Sequence, residues 1–172
     1  MSYAEVLRAL QSDAPVARDD VRRWIDSGDL LTWSAVFALL DAGASRIQPA
    51  IPAEEQVDFM RRYLVRCLDE NPSPGEYLHG GYEAAWELAR CLKEWRRLGG
   101  RAAAAVRGLA LELEKLYRRA DSTTQNRILC GVLEHAFEDP ALRPYFANWD
   151  RDVELREAYR LAVEWGATHE ES

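Results

Sequence analysis

The chain has 172 residues, 48% of them hydrophobic and 30% charged, with a net charge of −7. That length and composition fit one domain with a sizeable core and exclude a disordered chain. The longest clear apolar block, Ala35 to Leu40, falls far short of the roughly 18 residues needed to cross a bilayer, so no membrane partner is expected.

The opening residues Met1-Ser2-Tyr3-Ala4-Glu5 lack the basic cluster and apolar stretch of a signal peptide. Cys67, Cys91 and Cys130 each sit in an apolar helical pattern without C-x-x-C spacing. This usage suits a reducing compartment rather than a disulfide framework, and a cytoplasmic location is expected.

Nearly every segment repeats its apolar residues with period 3.6, and no run alternates with period 2 for long. Tyr3, Val6, Leu7 and Leu10 mark a first helix. Val21, Trp24 and Ile25 mark a second, closed by Ser27-Gly28. Asp29 is placed to cap a third, which runs to Asp41, ends at Gly43, and is apolar nearly all round, the mark of a buried helix. Pro52 fits the first turn of the next, with Glu54 and Glu55 at the positive end of its dipole. Asn71-Pro72-Ser73-Pro74-Gly75 then opens the one conspicuous loop.

After Gly80-Gly81 comes a long helix. Ala85, Leu88, Leu92 and Trp95 form its inner seam, and Glu83, Glu87, Arg90, Glu94 and Arg97 a solvated stripe opposite. Gly99-Gly100 turns it into a partner helix with its seam at Val106, Leu109, Ala110, Leu113, Leu116 and Tyr117, an antiparallel hairpin. Ser122 to Gln125 reads as a capping box for a helix that buries Leu129, Val132, Leu133, Ala136 and Phe137. Pro140 begins a short helix confined by Pro144. Asp150 or Asp152 is expected to cap the last helix, which Gly166 ends. The reading is a single all-α domain over residues 1–166 and a disordered acidic tail over 167–172. Eight or nine helices are expected as an irregular, HEAT-like stack of antiparallel pairs, with a compact globular helical bundle as the alternative.

Charge is uneven along the chain. Residues 1–89 are net −7, residues 90–119 net +6, and residues 134–172 net −6. Arg90, Arg96, Arg97, Arg101, Arg107, Arg118 and Arg119 could line a phosphate track. The overall acidity argues against a general nucleic-acid binder, and pairing with the protein's own acidic ends explains the basic middle equally well.

The candidate chemistry is sparse. Glu76 and His79 have Glu-x-x-His spacing, but one such pair is too few for a di-iron site, and a loop histidine that packs is the alternative. Glu134-His135 lacks the second histidine of a zinc signature, and His169 falls in the tail. The Gly99-Gly100-Arg101 turn lacks the Lys-Ser/Thr of a phosphate loop. No cofactor and no metal are called for. Glu138-Asp139 and Asp150/Asp152 bracket the Pro140 helix at a spacing open to a shared cation or an acid–base pair. Of six tryptophans, Trp24, Trp33, Trp86, Trp95 and Trp165 fall on predicted inner faces. Tyr145, Phe146 and Trp149 crowd a short turn-flanked helix among Arg143, Asp150, Arg151 and Asp152. This is the composition of a protein-binding hot spot, or of a hydrophobic lid on the last hairpin.

The stretch Leu133 to Gly166, with Leu-Glu-His-Ala-Phe-Glu-Asp-Pro-Ala-Leu-Arg-Pro-Tyr-Phe-Ala-Asn-Trp at its start and Glu-Trp-Gly at its end, covers about a fifth of the chain. It resembles the C-terminal pattern of small all-helical bacterial proteins, some of which resemble immunity proteins of polymorphic toxin systems. The resemblance implies a cytosolic bacterial protein that works by binding, and assigns no catalytic residue. The leading expectation is therefore a non-enzymatic protein-binding module, most concretely an acidic immunity-type protein that neutralises a basic toxin. Its expected contacts are Glu138, Asp139, Arg143, Tyr145, Phe146, Trp149, Asp150 and Asp152. The alternatives are an enzyme of an unrecognised helical class using these carboxylates and histidines, and a homo-oligomeric scaffold.

Overall fold

Period-3.6 patterning is realised as helix almost everywhere in the computed structural model, which describes residues 2–170. The helices are α1 Ser2–Leu10, α2 Arg18–Asp26, α3 Leu30–Gly43, α4 Ala53–Glu70, α5 Gly81–Leu98, α6 Gly100–Arg119, α7 Ser122–Asn126, α8 Glu134–Ala136, α9 Ala147–Arg151 and α10 Arg156–Thr168. A π-helical segment, Arg127–Leu133, joins α7 and α8 into one rod, and a 3₁₀ turn, Pro140–Phe146, leads into α9. Counting the rod once, the described residues form nine packed helices, and the architecture is all-α. The one departure is a parallel bridge between β1 Val16–Ala17 and β2 Ile47–Gln48, two residues each and too short to leave an alternating pattern.

The chain divides into two compact units. The first holds residues up to Tyr63 together with Pro72–Gly80, and the second holds Leu64–Asn71 and everything from Gly81 onward. In the first unit α3 is buried nearly all round, as its composition requires. Asp29 caps it, accepting from the Thr32 N–H at 2.8 Å, and the Trp33 indole donates to the Ile25 carbonyl at 2.7 Å. Arg46 reaches back to the carbonyls of Ala9 and Ala14 and holds the α1–α2 link. The fully buried Tyr63 pins the loop that follows α4. Its hydroxyl accepts from the His79 backbone N–H at 3.2 Å and lies 2.9 Å from His79 Nδ1.

In the second unit the seams of α5 and α6 are buried as expected, apart from the half-buried Tyr117. The single residue Gly99 joins the two helices. Gly99 and Gly100 have φ of 70° and 55°, the left-handed region where a side chain is strained. Four local expectations are corrected. The cap of α7 is Asp121, which accepts from the Thr124 N–H at 2.8 Å, while Gln125 turns away to the Tyr117 carbonyl, so no Ser122–Gln125 box forms. The π segment re-phases its rod, burying Arg127 and Ile128 and leaving Leu129 half-buried. The N-cap of α10 is Leu155, without a side-chain cap, and Asp152 instead closes a turn onto the Glu154 N–H. Gly166 does not end α10, which runs on to Thr168. A Cβ there would lie 2.5 Å from the Phe137 carbonyl oxygen, so this glycine serves packing. The tail expected over 167–172 is thus helical at 167 and 168, and its last two residues lie outside the described residues.

Gly131 of the π segment faces Ala85 of α5 so closely that a Cβ on it would sit 2.5 Å from the Ala85 Cβ. Gly131→Ala should destabilise the protein by about 1–3 kcal/mol through overpacking. Gly108→Ala, where α6 leaves open space, should stabilise it by about 0.5–1 kcal/mol through helix propensity. Urea unfolding monitored by circular dichroism reads both, and equal effects at the two sites would refute the contact.

Candidate functional site

The inner seam of α5 uses positions 85, 88, 92 and 95, all buried. Trp86 is one residue, about 100°, further round the helix. It was expected to face inward but is 54% exposed, and Leu98, at the end of the helix, is 67% exposed. Tyr82, one turn before Trp86, is also exposed, with its ring 6.3 Å from the indole. The close Gly131–Ala85 contact brings the rod against α5, so that α8 and the residues after it form a second wall. Between the walls lies a groove of about 850 Å³ lined by Trp86, Ala89, Arg90, Lys93, Glu94, Arg97, Leu98, His135 and Glu138.

The charged groups around this groove are engaged with one another. The Lys93 ammonium donates to Glu138 Oε2 at 2.6 Å, and His135 Nδ1 lies 3.0 Å from Glu138 Oε1. Arg90 pairs with Glu87 and with Glu94. The imidazole of His135 meets the ring of Trp165 edge-on at 4.8 Å, and His169 stacks on that indole at 3.9 Å. The result is an open groove in which Trp86 and Leu98 stand exposed among ion-paired side chains.

Of the eight residues expected as contacts, Asp139, Phe146 and Trp149 are buried, Glu138, Arg143, Tyr145 and Asp152 are half-buried, and Asp150 is exposed. Phe146 and Trp149 are fully buried, packed against each other at 6.2 Å and against Phe137 and Tyr117. They form the lid of the hairpin, not an exposed hot spot. Tyr145 is half-buried near the guanidinium of Arg107, 5.8 Å from its ring. Asp139 is buried, caps the 3₁₀ turn through the Ala141 N–H, and pairs with Arg96 at 2.7 Å. Arg143 donates to the Phe137 carbonyl and pairs with Glu170. Asp150 is exposed. Asp152 pairs with Arg118 at 2.6 Å, and Arg118 also holds Glu114 and Glu154. Of the eight, only Glu138 lines the α5 groove.

The same contacts account for much of the basic middle. Lys93, Arg96 and Arg118 pair with carboxylates of residues 138–154, and Arg119 pairs with Asp69 at 2.8 Å. These charges are neutralised within the chain rather than laid out as a phosphate track. His79 is held by Tyr63 and by the edge of Phe37, as a packing histidine. Cys67 and Cys91 are buried, and burial, helped by the neighbouring Glu134, pushes the Cys130 thiol up, away from thiolate chemistry. Among the described residues no group of three or more His, Cys, Asp or Glu side chains is arranged to hold a metal ion. No described helix is long and apolar enough to cross a membrane. Compared with protein-family models, curated proteins and solved structures, the chain matches none.

The Arg118 guanidinium, with help from the Glu154 N–H, holds the Asp152 carboxyl below the ordinary carboxylate range. This stabilisation is present above the unfolded value near 3.8 and is lost as the pH falls through the lowered folded value. Asp152→Asn should therefore flatten the acid limb of the stability–pH profile below about pH 4 and leave its neutral-to-alkaline shape unchanged. Thermal unfolding at a series of pH values tests this, and an unchanged acid limb would refute the pairing.

Proposed function

We propose that this protein is a non-enzymatic protein-binding module that receives an apolar side chain of its partner in the α5 groove. The observation that carries the reading is the exposure of Trp86 and Leu98 in one open groove, among side chains that are ion-paired. Large apolar side chains grouped at the surface mark interaction sites, and tryptophan is the residue most often found at the energetic centre of an interface. Arg90, Lys93, Glu94 and Glu138 are paired within the chain, so a partner gains by covering Trp86 and Leu98 and excluding water from them.

The more specific reading is an acidic immunity-type protein acting on a basic toxin. It is supported by the net charge of −7, which would speed encounter with a basic protein. Three free cysteines, two of them buried, support a reducing, cytoplasmic setting.

The test is site-specific photo-crosslinking in the source cells, with the photoreactive residue at position 86, 98 or 153. Val153 is 86% exposed and lies outside the groove. Discrete adducts at 86 and 98 with none at 153 are expected. Adducts at all three positions alike, or at none, would overturn the proposal.

A further inference from the structure

We propose that the outer face of α6, beside the 140–151 stretch, is a docking site for an extended acidic segment of a partner protein. The segment carries an acidic, an apolar and a second acidic residue at alternate positions. This site is separate from the α5 groove.

The first observation is a remainder of charge. Within the basic middle Arg90, Lys93, Arg96, Arg118 and Arg119 are paired. Arg107 and Lys115, together with Arg151 of α9, form an ion pair with none of the described carboxylates, and all three are exposed. In a chain of net charge −7, unpaired cations gathered in one place make a local field of the opposite sign.

The fold gathers them. α6 and residues 145–152 run side by side in the same direction. Arg107 stands over the Tyr145 ring at 5.8 Å, the Tyr117 ring meets that of Trp149 at 5.3 Å, and Arg118 pairs with Asp152 at 2.6 Å. Between the two stretches lies a hollow of about 300 Å³ lined by Arg107, Leu111, Pro144, Tyr145, Ala147 and Asn148. Leu111 is 51% exposed there. Lys115 lies one turn beyond Leu111 on the same face of α6, and Arg151 one turn beyond Ala147 on α9. The hollow therefore has Arg107 toward one end, Lys115 and Arg151 toward the other, and an apolar side chain between.

The spacing selects the occupant. Arg107, Leu111 and Lys115 follow one another at four-residue steps, about 6 Å each along a helix axis. An extended chain repeats on one side every two residues, about 6.6 Å. A strand laid along α6 thus sets carboxylates at its first and fifth positions against Arg107 and Lys115, and an apolar side chain at its third against Leu111. The long cationic side chains take up the small difference in step. The exposed Asn148 borders the hollow with an amide that can bond the strand's backbone.

The same features favour a peptide over a nucleic acid. The centre of the site is apolar, which suits a side chain and not a phosphate backbone. The cationic stretch is also short. Beyond Lys115 the Arg118 guanidinium is filled by Glu114, Asp152 and Glu154, and a longer polyanion would run onto those carboxylates. Arginine-centred recognition of a short acidic motif fits these limits.

The experiment is fluorescence anisotropy at low salt with the peptide Ser-Glu-Ser-Leu-Ser-Glu-Ser, carrying a neutral fluorophore. It is titrated with the full chain and with variants first shown to be folded by circular dichroism. The full chain should bind saturably with a Kd below about 1 mM. A peptide of the same composition in the order Ser-Glu-Glu-Leu-Ser-Ser-Ser should bind at least about fivefold more weakly. R107E and K115E should each raise the Kd by about tenfold. The double variant R107E/K115E should instead bind Ser-Lys-Ser-Leu-Ser-Lys-Ser, an exchange that a damaged fold cannot produce. R160E makes the same change of charge at a residue paired within α10 and should bind the acidic peptide as the parent does.

Absence of saturable binding to the full chain would overturn the proposal. So would equal binding of the two peptide orders, unchanged binding by R107E and K115E, no exchange of preference in the double variant, or an R160E effect as large as theirs. A labelled oligothymidylate of similar length that binds as tightly as the peptide would overturn it in favour of a general polyanion site.

Discussion

The second unit depends on a contact from which side chains are nearly absent. Gly131 lies against Ala85 with no room for a single added carbon, and this close approach sets the π-containing rod on α5. The π segment is what puts Gly131 there. A switch to i→i+5 bonding inserts an extra residue into a helical turn and rotates everything after it. At the start of that segment Arg127 is buried, and its guanidinium donates to the Leu68 carbonyl in the last turn of α4 and to the Thr124 hydroxyl. A buried cation is tolerated there because the end of a helix presents carbonyl oxygens and negative potential, and because Asp121 lies near enough for the arginine to help keep it ionised.

Electrostatics in this protein is largely a matter between distant parts of one chain. The basic stretch over 90–119 and the acidic stretch after 134 face each other as Lys93–Glu138, Arg96–Asp139 and Arg118–Asp152. Solvent-exposed pairs of this type contribute little to stability, but partly buried ones select an arrangement, since a shifted packing would strand a charge away from water. A segment that looks like a polyanion-binding surface by composition is instead committed to the fold. Of these pairs, Lys93–Glu138 lines the α5 groove.

Much of the fold was legible because its determinants are local. The seams of α5 and α6, the burial of α3 and the Asp29 cap each follow from spacing or from one side chain beside a helix start. The failures have a common origin in tertiary choice. Two adjacent residues, Asp121 and Ser122, could both cap a helix, and only packing chose between them. The π segment leaves no mark on a period-3.6 count. Gly166 reads as a helix stop but is required for contact with Phe137. The exposure of particular aromatics was misjudged for a similar reason. Aromatic crowding around Phe146 and Trp149 is the same in composition whether it faces water or core, while Trp86 differs from its buried neighbour Ala85 by a single helical step. Its one legible signal was its place off the 85, 88, 92, 95 seam.

The turn between α5 and α6 also says something about handedness. No atom would meet a Cβ within 4 Å at Gly99 or Gly100, yet both hold φ near +60°, so backbone chirality rather than space reserves these positions for glycine. A residue of mirror-image configuration prefers that same region. In a chemically synthesised chain, a D-alanine at either position would adopt the native φ without backbone strain and would narrow the conformations open to the unfolded chain. The hairpin would tighten by a change that no genetically encoded residue can make.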